Sequence, residues 1–382
     1  MIDRRRFLSH SIAGGATLAF APQLAWARAE TDRKLVVIVQ RGAADGLATV
    51  IPAGDPQFAS QRRIFAEEAD AALPLDGMFR LHPALERLKT FYDGGEALFA
   101  HAVASPYRER SHFDGQNVLE TGGAEPFELR DGWLNRLLTL LPGRDSRALA
   151  LAVTVPLILR GDNRVGNYAP SVLPDANEDL LMRVGRLYDA DPELHALWNA
   201  AMDTEARAGE TAARRSNPAS LGALAARLMT GADGARIVTI DTDGWDTHAN
   251  QTGRLRRELT GLNAMIGALR DGLEDEWRDT LIVVATEFGR TVAPNGTGGT
   301  DHGTGSAAML LGGTVVGGRV HADWPGLATA QLYEGRDLRP TLSMDALVAG
   351  AVAAHFGIEP QRAARVLFPD TNARPIEGLV RA

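Results

Sequence analysis

Thr280-Leu281-Ile282-Val283-Val284-Ala285 is followed without a break by Thr286-Glu287-Phe288-Gly289-Arg290. Five apolar residues after a threonine, mostly β-branched and with no polar alternation, read as a strand buried on both faces. The polar cluster behind it reads as a loop placed by the end of that strand. Lys34-Leu-Val-Val-Ile-Val39 followed by Gln40-Arg41-Gly42 repeats the pattern near the start of the chain. Further strands are expected within 97–103, 148–159, 236–241 and 307–311, with Pro156 marking the end or an edge of the third. Helical patterns fall between them at 83–92, 113–120, 133–141, 251–276 and 344–356. Strands alternating with helices predict an α/β fold, a mainly parallel sheet covered on both faces. The stretch 177–232 is rich in Ala, Leu, Arg and Glu and carries no strand signal, so a helical insertion is expected there.

The chain has 382 residues, of which 45% are hydrophobic and 23% charged, the balance of a globular protein with a sizeable core. It carries 40 basic and 48 acidic residues, a formal net charge of −8. With no basic surplus to neutralise phosphates, nucleic-acid binding is not expected. The absence of cysteine removes disulfides, thiolate metal sites and cysteine nucleophiles together.

Residues 1–29 read as a targeting segment. Arg4-Arg5-Arg6-Phe7-Leu8 precedes an apolar, small-residue stretch, and Ala25-Trp26-Ala27 and Ala27-Arg28-Ala29 have the small-x-small form cut by signal peptidase. Arg5-Arg6-Phe7-Leu8 resembles the bacterial twin-arginine signal, so the expected partner during export is the twin-arginine translocase and the expected destination the periplasm or the exterior. The apolar run is short for a bilayer, and no stable membrane span is expected. Residues 30–382 are read as one domain.

In parallel sheets, ligands collect at the carboxyl ends of the strands. Four polar clusters lie in such places. Gln40-Arg41-Gly42-Ala43-Ala44-Asp45-Gly46 follows the first strand and reads equally as a loop with a solvated Arg–Asp pair. Ser105 to Asp114 follows the second. Ser111 there opens a helix, either as its N-cap or as a nucleophile whose anionic substrate meets free N–H groups, with Arg108 and Arg110 beside it and His112 within reach as ligand or acid. Asp241-Thr-Asp243-Gly-Trp-Asp246-Thr-His248 brings three carboxylates and an imidazole together, which favours a cation. The last cluster runs from Glu287 to Asp301-His302 through a glycine-rich loop that would be mobile unless tied down. Oxygen and imidazole donors suit a divalent metal, zinc first, with manganese, calcium or magnesium as alternatives. His82, His101, His195, His321 and His355 stand singly and read as packed or surface histidines.

Arg41-Gly-Ala-Ala-Asp45-Gly-Leu, Arg110-Ser-His-Phe-Asp-Gly-Gln, Gly244-Trp-Asp-Thr-His-Ala-Asn-Gln251, Thr286-Glu-Phe-Gly-Arg-Thr291 and Asp301-His-Gly, in that order, resemble the bacterial domain-of-unknown-function family numbered 1501. That family is similar to a branch of the alkaline phosphatase and sulfatase superfamily. The resemblance implies a three-layer αβα sandwich with metal at the strand ends. It further implies Ser111 as nucleophile, Asp246, His248, Glu287 and His302 as ligands, and Asp45 as a ligand if its loop shifts. Three departures stand out. Asp246 and His248 are two apart where the superfamily spaces four. Phe288 stands where it has a second histidine, and Gln40-Arg41 where the first strand ends in aspartate. They lead to an expectation of one metal, or of a degenerate site, in place of two zincs. Ala104 sits where a sulfatase oxidises Cys or Ser, which argues against that chemistry.

The expected activity is therefore metal-dependent hydrolysis of a small anionic ester, phosphate or related. Ser111 or a metal-activated water would be the nucleophile, with His112 and Arg110 in the catalytic machinery and Arg41 and Arg290 on the substrate's charge. The alternative is a non-catalytic exported scaffold or binding protein that keeps the fold.

Overall fold

The computed structural model describes residues 32–142, 147–169, 178–188, 191–208 and 217–381. The expected leader, 1–29, lies outside them. Among the described residues no helix is long and apolar enough to cross a membrane.

Nine strands form the main sheet: β1 Lys34–Gln40, β2 Ala97–Ala104, β3 Ala148–Ala150, β4 Gly166–Asn167, β5 Ile237–Thr242, β6 Thr280–Ala285, β7 Ser306–Leu311, β8 Arg319–His321 and β9 Leu342–Ser343. Their order across the sheet is β8-β2-β7-β6-β1-β5-β3-β4, with β9 also paired to β2. β1 lies in the middle, parallel to β5 on one side and β6 on the other. Only β7 runs against the rest, antiparallel to both β2 and β6.

The principal helices are α1 Glu86–Asp93, α2 His112–Thr121, α3 Trp133–Leu138, α4 Glu178–Tyr188, α5 Pro192–Ala208, α6 Pro218–Met229, α7 Gln251–Leu273, α8 Met344–Phe356 and α9 Pro360–Leu367. Side chains of β1 alternate between the two faces of the sheet. Val36 and Ile38 enter a core closed by Leu88 and Phe91 of α1, Leu224 of α6 and Leu255, Leu259 and Leu262 of α7. Leu35, Val37 and Val39 enter a second core closed by Leu134 and Leu137 of α3, Leu347 and Val352 of α8 and Leu367 of α9. Truncating Leu35 or Ile38 to Ala removes about 2–5 kcal/mol of stability. The result is the three-layer αβα arrangement that the strand–helix alternation implied.

Local chemistry explains where elements begin and stop. Ser343 accepts from the Ala346 N–H to cap α8, and Gly357 at φ +64° ends it. Glu359 caps α9 through the N–H groups of Gln361 and Arg362, with Pro360 in its first turn. The stretch 148–159 holds less strand than expected. Only Ala148–Ala150 pairs, and the chain then turns, with Pro156 starting a 3-10 turn at Leu157–Leu159. Within 177–232, α6 buries Leu224, Ala225, Ala226, Leu228 and Met229, and so belongs to the layer over the sheet. α4 and α5 precede it.

The direction of β7 matters for function. β1, β2, β5 and β6 all finish at one edge of the sheet, and the reversed β7 starts there. The loop before β7 therefore arrives at the same edge as the loops after the other strands.

Candidate metal centre

Three histidines and one aspartate meet at that edge. His112 is the first residue of α2, after β2. Asp246 and His248 follow β5, and His302 precedes β7. His112, Asp246 and His302 each offer a donor atom, all within 4.8 Å of one another. His112 Nε2 lies 3.5 Å from Asp246 Oδ2, and His302 Nε2 lies 3.3 Å from Asp246 Oδ1. His248 Nε2 joins them, 3.0 Å from Asp246 Oδ1 and 2.9 Å from His302 Nε2.

The opposite ring nitrogens define the tautomers. Nδ1 of His112 meets Glu287 Oε1 at 2.8 Å, Nδ1 of His302 meets the Arg110 carbonyl at 3.0 Å, and Nδ1 of His248 meets Asp301 Oδ1 at 3.2 Å. Each partner is an acceptor only, so each Nδ1 is placed to carry a proton, which leaves the Nε2 atoms as the donors that face the cluster. Three Nε2 atoms thus converge on one carboxylate. His112 Nε2 is buried and has no hydrogen-bond partner of its own. Imidazole Nε2 donors oriented by outer acceptors at Nδ1, with a carboxylate completing the set, fit a divalent ion, zinc best.

Packing and charge hold the donors. Phe288 stacks on His112 with ring centroids 5.1 Å apart and lies 5.4 Å from His302. Phe288 thus packs against both rings, stacked on one and tilted to the other. Glu287 is completely buried at the end of β6, and its Oε1 also accepts from the Gly42 N–H at 2.9 Å and Gln116 Nε2 at 3.1 Å. Burial opposes ionisation of Glu287, yet the His112, Gly42 and Gln116 donors outweigh it and hold its carboxyl below the ordinary range. The same hydrogen bond raises His112 above the usual imidazole range, against its partial burial. Burial opposes ionisation of Asp246 as well, but the Arg290 guanidinium, 2.6 Å away, holds its carboxyl below the ordinary range. Burial, with His112 close by, lowers His302.

The glycine-rich loop is tied down by the protein itself. Asn295 Oδ1 accepts from the N–H groups of Thr297 and Gly299, while Asn295 Nδ2 and Thr297 Oγ1 both donate to the His248 carbonyl. Gly299 packs so closely on this segment that a Cβ there would come within 2.3 Å of the His248 carbonyl carbon. Gly42 is equally constrained: its φ is +118°, and a Cβ would meet the Asp246 nitrogen at 2.6 Å.

Several expected site residues are placed otherwise than the motifs suggested. Asp45 is buried, caps the short helix Gly46–Thr49 through the Ala48 N–H, and accepts from Arg62 Nη2 at 2.5 Å and Gln251 Nε2 at 2.6 Å. Its oxygens are thus committed to an internal ion pair, and it is absent from the donor set. Glu287, expected as a ligand, lies 2.8 Å from His112 Nδ1, and it is His112, expected as ligand or acid, whose Nε2 stands among the clustered donor atoms. Arg41 pairs with Glu120 and Asp241, both at 2.9 Å. Arg110, at φ +64°, pairs through Nε with Asp337 at 2.8 Å and through Nη2 with Glu334 at 2.5 Å. Arg290 is fully buried against Asp246 and Thr300. Ser111 is the N-cap residue of α2, but its side chain makes no capping bond. Its hydroxyl lies by the Tyr107 phenol, and among the described residues no hydrogen bond joins it to the histidine–aspartate cluster.

Asp301 and Gln116 were not singled out from sequence as site residues. Both stand inside motifs that carried the resemblance, Asp301 beside His302 and Gln116 one turn beyond His112, and that proximity was the available signal. Comparison with curated proteins found no match. Residues 96–367 match the family described as "Protein of unknown function (DUF1501)". That span takes in α2, the Asp246–His248 segment and the loop before β7, and the chain belongs to the DUF1501 family.

Proposed function

We propose that His112, Asp246, His248 and His302 hold one divalent metal, zinc by preference, and that the protein is an exported hydrolase of a phosphate or related ester. The observation that carries this reading is the convergence of three Nε2 atoms on Asp246, with every Nδ1 fixed by an outer acceptor. A bound divalent ion lowers the pKa of water and stabilises an anionic oxygen.

The chain's own groups supply orientation. The start of α2 places the positive end of a helix dipole beside the donors, which favours an anion there. Arg290 keeps Asp246 ionised, and Glu287 keeps the His112 proton on Nδ1. Water is the nucleophile in this reading, because Ser111 has no hydrogen-bonded base in the cluster. The similarity to the alkaline phosphatase and sulfatase superfamily supports the same assignment, and the leader supports twin-arginine export to the periplasm.

The experiment is elemental analysis of protein exported by its native host, paired with turnover of a chromogenic phosphate ester. About one metal per chain and turnover abolished by a chelator are expected. Metal without turnover would favour the second reading, a non-catalytic exported scaffold, which the neutralised Arg41, Arg110 and Arg290 also favour. Export is tested by changing Arg5 and Arg6 together to Lys, with uncleaved precursor accumulating in the cytoplasm as the expected result.

A further inference from the structure

The charges around the donors and one exposed aromatic restrict the ester. Arg41, Arg110 and Arg290 are each neutralised by carboxylates: Glu120 and Asp241, Asp337 and Glu334, and Asp246. Arg336 is likewise paired with Asp337. Asp301 and Glu334 beside the cluster are themselves exposed carboxylates. A phosphate monoester carries close to two negative charges above pH ~6 and needs surplus cations to hold its oxygens. This edge of the sheet has none from those four arginines. A diester carries one negative charge, which one divalent ion and a helix start can balance.

Phe113 is the second observation. It follows His112 directly on the first turn of α2 and is 85% exposed, the most exposed large apolar side chain among the described residues. Its ring is largely uncovered by protein, and it stands one residue along α2 from His112. Aromatic rings attract apolar and aromatic groups through area burial and stacking.

Building on the hydrolase reading, we infer that the substrate is a monoanionic phosphodiester bearing an apolar or aryl arm, and that Phe113 receives that arm. In the reaction the water oxygen forms a new P–O bond, and the bond to one ester oxygen breaks and gives that oxygen its electron pair. A water proton ends on the departing alcohol. The products are an alcohol and a monoester, whose second charge these paired arginines do not balance.

The test compares bis(p-nitrophenyl) phosphate with p-nitrophenyl phosphate at about pH 8, using the metal-loaded protein. The expected kcat/KM is at least about tenfold higher for the diester. Phe113→Ala raises the diester KM by about 2- to 10-fold, with kcat and metal content unchanged. Calorimetric binding of diphenyl phosphate weakens by the same factor, and that of dimethyl phosphate stays as it is. Preference for the monoester, or diphenyl phosphate binding indifferent to Phe113→Ala, overturns this inference and leaves the hydrolase reading standing. Failure to cleave either ester by a protein with full metal content overturns both.

Discussion

The histidines at the carboxyl edge of the sheet and those in the core solve the same problem in opposite ways. His101 in β2 uses both ring nitrogens within the protein: Nε2–H donates to the Val50 carbonyl, and Nδ1 accepts from the Ala102 N–H. His355 in α8 does likewise, with Nε2–H on the Lys34 carbonyl and Nδ1 facing the Thr314 hydroxyl. Each is a neutral, completed imidazole that ties two elements together. At the edge, His112, His248 and His302 complete only Nδ1 and leave Nε2 for a common centre. A histidine with one finished nitrogen, aimed at others like it, is the mark that separates the edge histidines from the core ones here.

The contrast is broken most severely by removing the carboxylate at the centre. Asp246→Ala should take the bound metal from about one per chain to near none by elemental analysis, with far-ultraviolet circular dichroism unchanged. Retention of a full metal equivalent would dissolve the distinction between the two sets. Acid should act next most strongly, and on the core set. Burial pushes His101 down to about 4 and His355 to about 3 from an ordinary 6.5. A depressed histidine contributes stability fully above its unfolded pKa, and that stability is lost as pH falls through 6.5 toward the folded value. Each is worth on the order of 3 kcal/mol. The unfolding free energy from urea titrations should therefore drop between about pH 6.5 and pH 4, a fall to which the buried His82, lowered to about 4, also contributes, and His355→Phe should make that slope shallower. A slope unchanged in His355→Phe would mean that the buried ring is not neutral.

Glu287→Gln sharpens the comparison at one outer acceptor. It keeps the shape but offers His112 a weaker partner, and metal affinity should fall by about 10- to 100-fold in a competition titration with a chromophoric chelator. Unchanged affinity would reduce Glu287 to a core carboxylate. The smallest effect belongs to Ser111→Ala. A working N-cap serine contributes about 1 kcal/mol, but this hydroxyl caps nothing, so the loss should stay below about 0.5 kcal/mol. Turnover should survive if water attacks. A dead but stable variant would restore Ser111 as nucleophile.

The sheet was readable from sequence because β1 and β6 are apolar on both faces, a pattern that few other environments permit. The edge at which the site lies followed from the parallel order. Long-range pairings were not readable. That Asp45 meets Arg62 and Gln251, or that Arg110 meets Asp337, depends on which loops fold over one another, and local spacing carries no such information. His112 was legible as a ligand or an acid but not as one rather than the other, since only the contact with Glu287, 175 positions away, leaves its Nε2 facing Asp246. β8 and β9 have three and two residues, too few for a periodicity to register.

The central place of β1 also has a cost in time. Its two neighbours, β5 and β6, are made some 200 and 245 residues after it. At ~5–20 residues per second, synthesis needs on the order of 10–40 s before either is available. Throughout that interval Leu35-Val36-Val37-Ile38-Val39 is a sticky ribbon with no strand to lie against. Contacts so distant along the chain make for slow folding. A holding chaperone that recognises apolar extended segments should therefore engage this protein at its first strand, and release it once the second half of the sheet has emerged.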